Sequence, residues 1–284
     1  MEPLRTLVDS SESVGGSPLL SDHLSGIFGG NVAFPDPPSN DRPYVITNFV
    51  SSVDGVVSYR IPGHAGGGDI SGFYEADAFS MAVLRACSDA ILIGANTLST
   101  EGRQPINAAS LYPAEADEFA RLRERLGKRR YPLCVVLTGS GSVDLTHPVF
   151  HTPELEAAII TTDAGSRVLE THLDDVVTTH VLAMGDGHLV NPSAALQILQ
   201  KQWNVRLCLC EGGPETTDGF IRAGLVDELF LTLSPRIVGQ DIKHPRPSFS
   251  EVLAYTPDTS PALTLLSLKS HGSYLFCRYR FEKG

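Results

Sequence analysis

The stretch Cys208-Leu209-Cys210-Glu211-Gly212-Gly213-Pro214-Glu215-Thr216-Thr217 constrains this chain more than any other. An apolar run with β character, Val205 to Cys210, stops abruptly at an acid, two glycines and a proline. Residues 216–225 then read as a short helix closed by Gly224. The order is strand, glycine turn, helix start. Glycines let backbone N–H groups approach a ligand, and a helix N-terminus favours negative charge. The same pattern also serves as a tight turn with no ligand, and a Gly-Gly pair alone does not decide between the two.

A second junction of this kind is Ile91-Leu92-Ile93-Gly94-Ala95-Asn96-Thr97, where glycine again ends a buried strand. Ligands of open α/β sheets collect just beyond such strand ends. Two junctions on one sheet favour a phosphate-bearing nucleotide cofactor, yet neither holds Gly-x-Gly-x-x-Gly or a Walker pattern. In a third segment, Ser51-Ser52-Val53-Asp54-Gly55, the Asp-Gly pair by itself reads as a turn.

From Arg42 onward strand and helix patterns alternate. Strands are expected at 44–50, 90–94, 133–138, 157–161, 205–210 and 228–234. Helices are expected at 75–88, 114–130, from Asn191-Pro192 to about 202, and at 216–223. In the first of these Phe79, Val83 and Ala86 share a face, with Arg85 on another side. Two long β runs, 262–269 and 273–281, form a closing antiparallel hairpin. The expected fold is α/β, a mixed, mostly parallel sheet with helices on both faces. Residues 1–40 read as an irregular extension and linker, with 4–8 as a candidate edge strand, and 41–284 as one domain. Trimming residues 11–30 is expected to leave activity largely intact.

Net charge is −11 with no long basic stripe, which disfavours nucleic acid and anionic membranes. No apolar run approaches a membrane span, and the N-terminus does not read as a signal peptide. The five cysteines lack Cys-x-x-Cys spacing and fit buried thiols of a cytoplasmic protein. The scattered histidines suggest no metal site. The basic run 121–130 reads as a solvated helix face and loop.

Together these segments resemble the dihydrofolate-reductase-like superfamily, specifically the RibD C-terminal-domain family of riboflavin-biosynthesis pyrimidine reductases. Ser51-Ser52-Val53-Asp54-Gly55 is similar to its Ser-Leu-Asp-Gly. Leu84-Arg85-Ala86 with Asp89-Ala90-Ile91-Leu92-Ile93-Gly94-Ala95-Asn96-Thr97 is similar to its Leu-Arg-Ala…Asp-Ala-Ile-x-x-Gly-x-x-Thr. Glu211-Gly212-Gly213-Pro214, then Gly224-Leu225-Val226-Asp227-Glu228 and Pro235-Arg236-Ile237-Val238-Gly239, follow in the family's order.

The resemblance implies an NADPH-dependent reductase that converts the ribosyl group of a ribosylaminopyrimidine 5′-phosphate to ribityl. By the same resemblance Ser51, Gly94, Thr97, Glu101, Thr138, Ser140, Gly212, Gly213, Pro214 and Thr216 would hold NADPH. Arg85 would grip the substrate phosphate with Arg103 helping, Asp54 would lie on the substrate side, and Glu211 would face the reacting centre as proton donor or positioner. It also implies a homodimer, formed partly by the C-terminal strands, whose edge would otherwise be exposed. Arg85→Ala is then expected to cut kcat/KM without touching thermal stability.

The chain departs from its relatives at Asn48, where many have Lys, and at Thr100-Glu101-Gly102, where many have Asp-Asp-Pro. No zinc-deaminase signature precedes the reductase part, so a stand-alone reductase is expected. Two further readings stay open: a reductase of this fold acting on a pterin, folate or another carbonyl or imine compound, and a non-catalytic nucleotide-binding module. A pterin would call for a carboxylate on its ring.

Overall fold

A computed structural model describes residues 1–100, 102–171, 179–251 and 254–282. In chain order the strands are β1 (Arg5–Asp9), β2 (Tyr44–Ser52), β3 (Ala90–Gly94), β4 (Leu133–Leu137), β5 (Ala157–Thr161), β6 (Thr179–Ala183), β7 (Leu207–Cys210), β8 (Glu228–Ser234), β9 (Leu263–His271) and β10 (Tyr274–Phe281). They form one sheet in the order β1-β9-β10-β8-β2-β7-β3-β4-β5-β6. Every pairing from β8 to β6 is parallel, and β8, β10, β9 and β1 pair antiparallel. The parallel strands therefore all end on one edge of the sheet.

The helices are α1 (Asp22–Phe28), α2 (Gly67–Ser71), α3 (Glu75–Cys87), α4 (Ala95–Thr100), α5 (Ala108–Leu111), α6 (Ala116–Arg125), α7 (Asp163–Glu170), α8 (Pro192–Trp203) and α9 (Pro214–Arg222). The parallel strands are apolar on both sides because both faces are covered. Ile46, Ile91 and Val136 point to a core shared with Leu24 and Phe28 of α1, Phe79 and Val83 of α3, and Phe119 of α6. Their neighbours Val45, Leu92 and Val135 face Leu196 and Leu199 of α8 and Phe220 of α9. Cys208 and Cys210, two apart, lie in this second core, as a strand period of two requires.

Helix α8 begins as its sequence suggests, with the Asn191 side chain accepting from Ala194 N at 3.1 Å and Pro192 in the first turn. The C-terminal hairpin turns at Gly272, φ +55°.

The first forty residues are not irregular. They contain β1 and α1, and Leu4, Leu20, Leu24, Phe28 and Val32 are core residues. Helix α1 is capped by Ser21 at one end and by left-handed Gly29 at the other. Lys269 Nζ donates to Gly29 O at 2.8 Å, and Arg278 Nη2 donates to Ala33 O at 2.7 Å. Removing residues 11–30 would strip part of this core, contrary to the expectation that the segment is dispensable. Strand β1 also covers β9, so the hairpin edge expected to lie open is paired by the chain itself.

Candidate active site

The two glycine junctions meet. Strands β3 and β7 are neighbours, with Leu92 opposite Cys210. Beyond them α4 and α9 start side by side. Thr97 Oγ1 accepts from Gly213 N at 2.9 Å, tying one helix start to the other. A Cβ at Gly94 would sit 2.6 Å from Thr216 Oγ1, and one at Gly212 would sit 2.6 Å from Thr216 Cγ2. A larger residue at either position would collide with Thr216 and push the two junctions apart. Thr217 Oγ1 donates to Gly212 O at 3.0 Å and Thr47 Oγ1 donates to Cys210 O at 2.9 Å, which fixes the turn from behind. The first N–H groups of each helix have no acceptor within the helix. Helix α4 has no acid in its first turn, whereas α9 carries Glu215 there.

Glu211 leaves the end of β7 with its N–H donated to Leu92 O at 2.8 Å. Its carboxylate meets Arg85. Arg85 Nε lies 3.0 Å from both Glu211 oxygens, and Nη2 donates to Oε2 at 2.7 Å. The two side chains are 6% and 8% exposed. The spacing on α3 suggested that Arg85 stands off the apolar face. In the structure the last turns of α3 are buried all round, from Ala82 to Cys87, so Arg85 has no solvent face and turns inward to the acid. Arg123 holds this helix end, donating from Nη1 to Ala86 O at 3.0 Å and Ser88 O at 2.7 Å.

The remaining expected residues fall in several places. Gly94, Thr97, Gly212, Gly213, Pro214 and Thr216 lie together where the two junctions meet. Ser51 is buried near the end of β2, opposite Leu233. Thr138 and Ser140 lie beyond β4, and their hydroxyls accept from Gly141 N at 3.1 Å and Ser142 N at 3.2 Å. Glu101 lies outside the described residues.

Asp54 is taken up by the fold. Its carboxylate accepts from Ser52 Oγ at 2.5 Å, Val238 N at 3.1 Å and Gly239 N at 2.7 Å, stapling the loop after β2 to the loop after β8. The Ser52 hydroxyl first, then the Gly239 and Val238 N–H groups, hold this carboxyl down at about 2. Arg103 is exposed and donates to Thr146 O at 2.6 Å, with Asp144 Oδ2 at 3.5 Å.

One polar residue of this region escaped the sequence reading. Asp77, in the first turn of α3, hydrogen-bonds to the side chains of Thr232 on β8 and Ser71 at the end of α2. Burial raises its carboxyl above the ordinary value, and the two hydroxyls pull it partly back. It is the one carboxyl among the described residues held in that direction. Helical periodicity could not reveal it, because an acid in a first helical turn is ordinary. Among the described residues no three His, Cys, Asp or Glu side chains converge in a metal-binding group.

Residues 43–273 match the RibD C-terminal domain. The chain is 30% identical over 200 residues to the 2,5-diamino-6-ribosylamino-4(3H)-pyrimidinone 5′-phosphate reductase of Archaeoglobus fulgidus, covering 70% of this chain and 83% of that one. It is 27% identical over 203 residues to the Aquifex aeolicus protein of the same name, covering 70% and 80%. Among solved structures, a pyrimidine reductase-like protein from Corynebacterium diphtheriae superposes with a TM-score of 0.67 at 22% identity, covering 98% of this chain and 100% of that one. Acinetobacter baumannii RibD superposes with a TM-score of 0.63 at 20% identity, covering 86% and 59%.

Proposed function

The chain belongs to the RibD C-terminal domain family, and on that premise we propose an NADPH-dependent reductase that converts the ribosyl group of a ribosylaminopyrimidine 5′-phosphate to ribityl. The observation that carries this reading is the meeting of Gly94, Thr97, Gly212 and Thr216 at two adjacent helix starts beside the Arg85–Glu211 pair. The junction offers a dinucleotide phosphate backbone N–H groups and hydroxyls, and a Cβ at either glycine would push Thr216 out of place. Thr97, the Gly212-Gly213 turn and Thr216 would hold the pyrophosphate, with Ser51, Thr138 and Ser140 along the rest of the cofactor. Bound NADPH supplies the hydride.

The work of the chain is then to orient the opened sugar. A carboxylate whose oxygens both face a guanidinium is an acceptor, so Glu211 orients a substrate hydroxyl or ring N–H, and solvent water supplies the proton. Arg85, oriented by Glu211, is proposed to grip the substrate phosphate with Arg103 helping. Arg103, held by Thr146, keeps further N–H donors for a ligand. The five cysteines are buried thiols, which suits a reducing cytoplasm. Among the described residues no helix is long and apolar enough to cross a membrane. A homodimer is proposed on the family resemblance alone.

Asp77 supports a second reading, a pterin or folate substrate, because a carboxylate suits an amino-pyrimidinone edge that donates N–H groups. The 2,5-diamino pyrimidine named for the two relatives offers such an edge as well. The test is NADPH oxidation by the purified protein against the 2-amino pyrimidine phosphate, its deaminated form and dihydrofolate. Turnover of the first supports the main reading, and turnover of dihydrofolate alone supports the second. NADPH binding with no turnover of any would leave the binding-module reading.

A further inference from the structure

A hollow of about 630 Å³ lies at the edge of the sheet opposite the glycine junctions. That volume is within the range of small-molecule sites. Its walls include Tyr44 at the start of β2, Val14 and Pro38 from the N-terminal segment, Asp227 just before β8, and Arg280 near the end of β10. Strand β2 runs from this hollow to Ser52, which places the two edges roughly 26 Å apart at the usual rise of a strand. A ligand in the hollow would not meet a cofactor at Gly94 or Gly212.

The walls are held in place by the fold. Tyr44 Oη donates to Glu228 Oε1 at 2.9 Å. Asp227 accepts from Arg42 Nη1 and Nη2 at 2.7 and 2.9 Å and from Val45 N at 2.8 Å. Glu282 accepts from Thr264 Oγ1 at 2.6 Å, and Asp36 accepts from Arg206 Nη2 at 2.5 Å. Each acid at the hollow therefore has a partner. Arg280 does not. Strand β10 pairs with β8 without a break in register, so Arg278 and Arg280, two apart, lie on one face. Arg278 takes the Glu228 carboxylate with Nε and Nη2. No acid is left for Arg280, and among the described residues it makes no hydrogen bond and no ion pair. It is half-buried, a cation partly withdrawn from water with its donors available.

We propose that this hollow binds a small aromatic carboxylate, with Arg280 as its anchor. A guanidinium with free donors takes a carboxylate through two parallel hydrogen bonds. Three carboxylates, Asp36, Asp227 and Glu282, share the hollow, so each further negative charge on a ligand meets repulsion. That selects a monoanion over a phosphate dianion. Val14, Tyr44 and the prolines give a ring the apolar surface that small-molecule sites supply around a few fixed polar groups. The site stands apart from the reductase reading, because it shares no residue with the glycine junctions or with the Arg85–Glu211 pair.

The test uses the full chain, with 2-naphthoate as probe and the neutral 2-naphthamide as its control, and reads binding by calorimetry. Naphthoate should bind wild type saturably, and naphthamide about tenfold more weakly or less tightly still. Arg280→Ala should weaken naphthoate about tenfold or more and leave naphthamide unchanged. Its urea midpoint should match wild type, since Arg280 has no partner to strand. Arg280→Lys should weaken naphthoate by less, because a point charge replaces a fork, and it carries the test if Arg280→Ala does not fold. Saturating NADPH should leave naphthoate affinity unaltered. No saturable binding to wild type, equal affinity for acid and amide, wild-type affinity in both variants, or displacement by NADPH overturns the proposal. Binding is read without turnover, so this site and the reductase reading can each fail while the other stands.

Discussion

Two buried arginine–glutamate pairs lie against the same sheet, and their surroundings set them apart. Arg278 and Glu228, 4% and 0% exposed, bridge β10 and β8 at 2.7 and 2.9 Å. Tyr44 Oη donates to Glu228 at 2.9 Å, Arg278 donates onward to Ala33 O, and the rings of Phe34 and Phe230 stack on the guanidinium at 5.0 and 5.3 Å. This pair ties the N-terminal segment to the antiparallel end. Arg85 and Glu211 have the same bidentate chemistry, but they stand on the edge where the parallel strands end, beside the two glycine junctions. The comparison teaches that an ion pair is structural or functional according to what else can reach it.

The largest expected effect tests the structural pair. Arg278→Ala leaves Glu228 buried without its cation and should destabilise the fold by about 3–5 kcal/mol. An unchanged urea midpoint would break the comparison. For the other pair, Glu211→Gln should lower kcat by about a hundredfold, the low end for a lost group that handles the reacting centre, while the NADPH dissociation constant stays put. Arg85→Ala should do the same and, contrary to the first expectation, also cost about 2–3 kcal/mol of stability, because a nearly buried carboxylate is stranded. Wild-type stability in Arg85→Ala would show that Glu211 is well hydrated.

A smaller effect is expected at the glycine junctions. Gly94→Ala should weaken NADPH binding roughly tenfold at a stability cost of about 1–3 kcal/mol, as its methyl meets Thr216. Fluorescence titration with NADPH measures this, and unaltered affinity would move the cofactor elsewhere.

A further effect is a pH dependence at the antiparallel end. Burial lowers the Lys269 ammonium to about 8, with Asp9 opposing the shift and Arg278 adding to it. The unfolded chain keeps this proton up to its ordinary value near ~10.4. Between the two values the unfolded state binds more protons, so this group makes stability rise with pH from about 8 towards 10. Lys269→Met should flatten that rise in urea midpoints taken across the window. A rise that persists in the variant would assign it to another group.

Local pattern was enough for the strands that end in glycine, for the Asn191 cap, for the closing hairpin, and for the family, because each of these depends on residues close together in the chain. A buried parallel strand must be apolar on both faces, and a glycine at its end has few other uses. Sequence also brought Gly94, Thr97, Gly212 and Thr216 forward as one group, through motif order.

Tertiary structure decided what those residues face. Arg85 and Glu211 are 126 residues apart, and no periodicity on α3 could show that its last turns are enclosed on every side. Asp54 was legible as a turn, but its partners Val238 and Gly239 come from a loop 184 and 185 residues away. The first forty residues looked irregular because their anchors, Lys269 and Arg278, sit at the far end of the chain. Whether a charged side chain binds a ligand or holds the fold depends on the groups brought against it in space, and chain folding alone sets those neighbours.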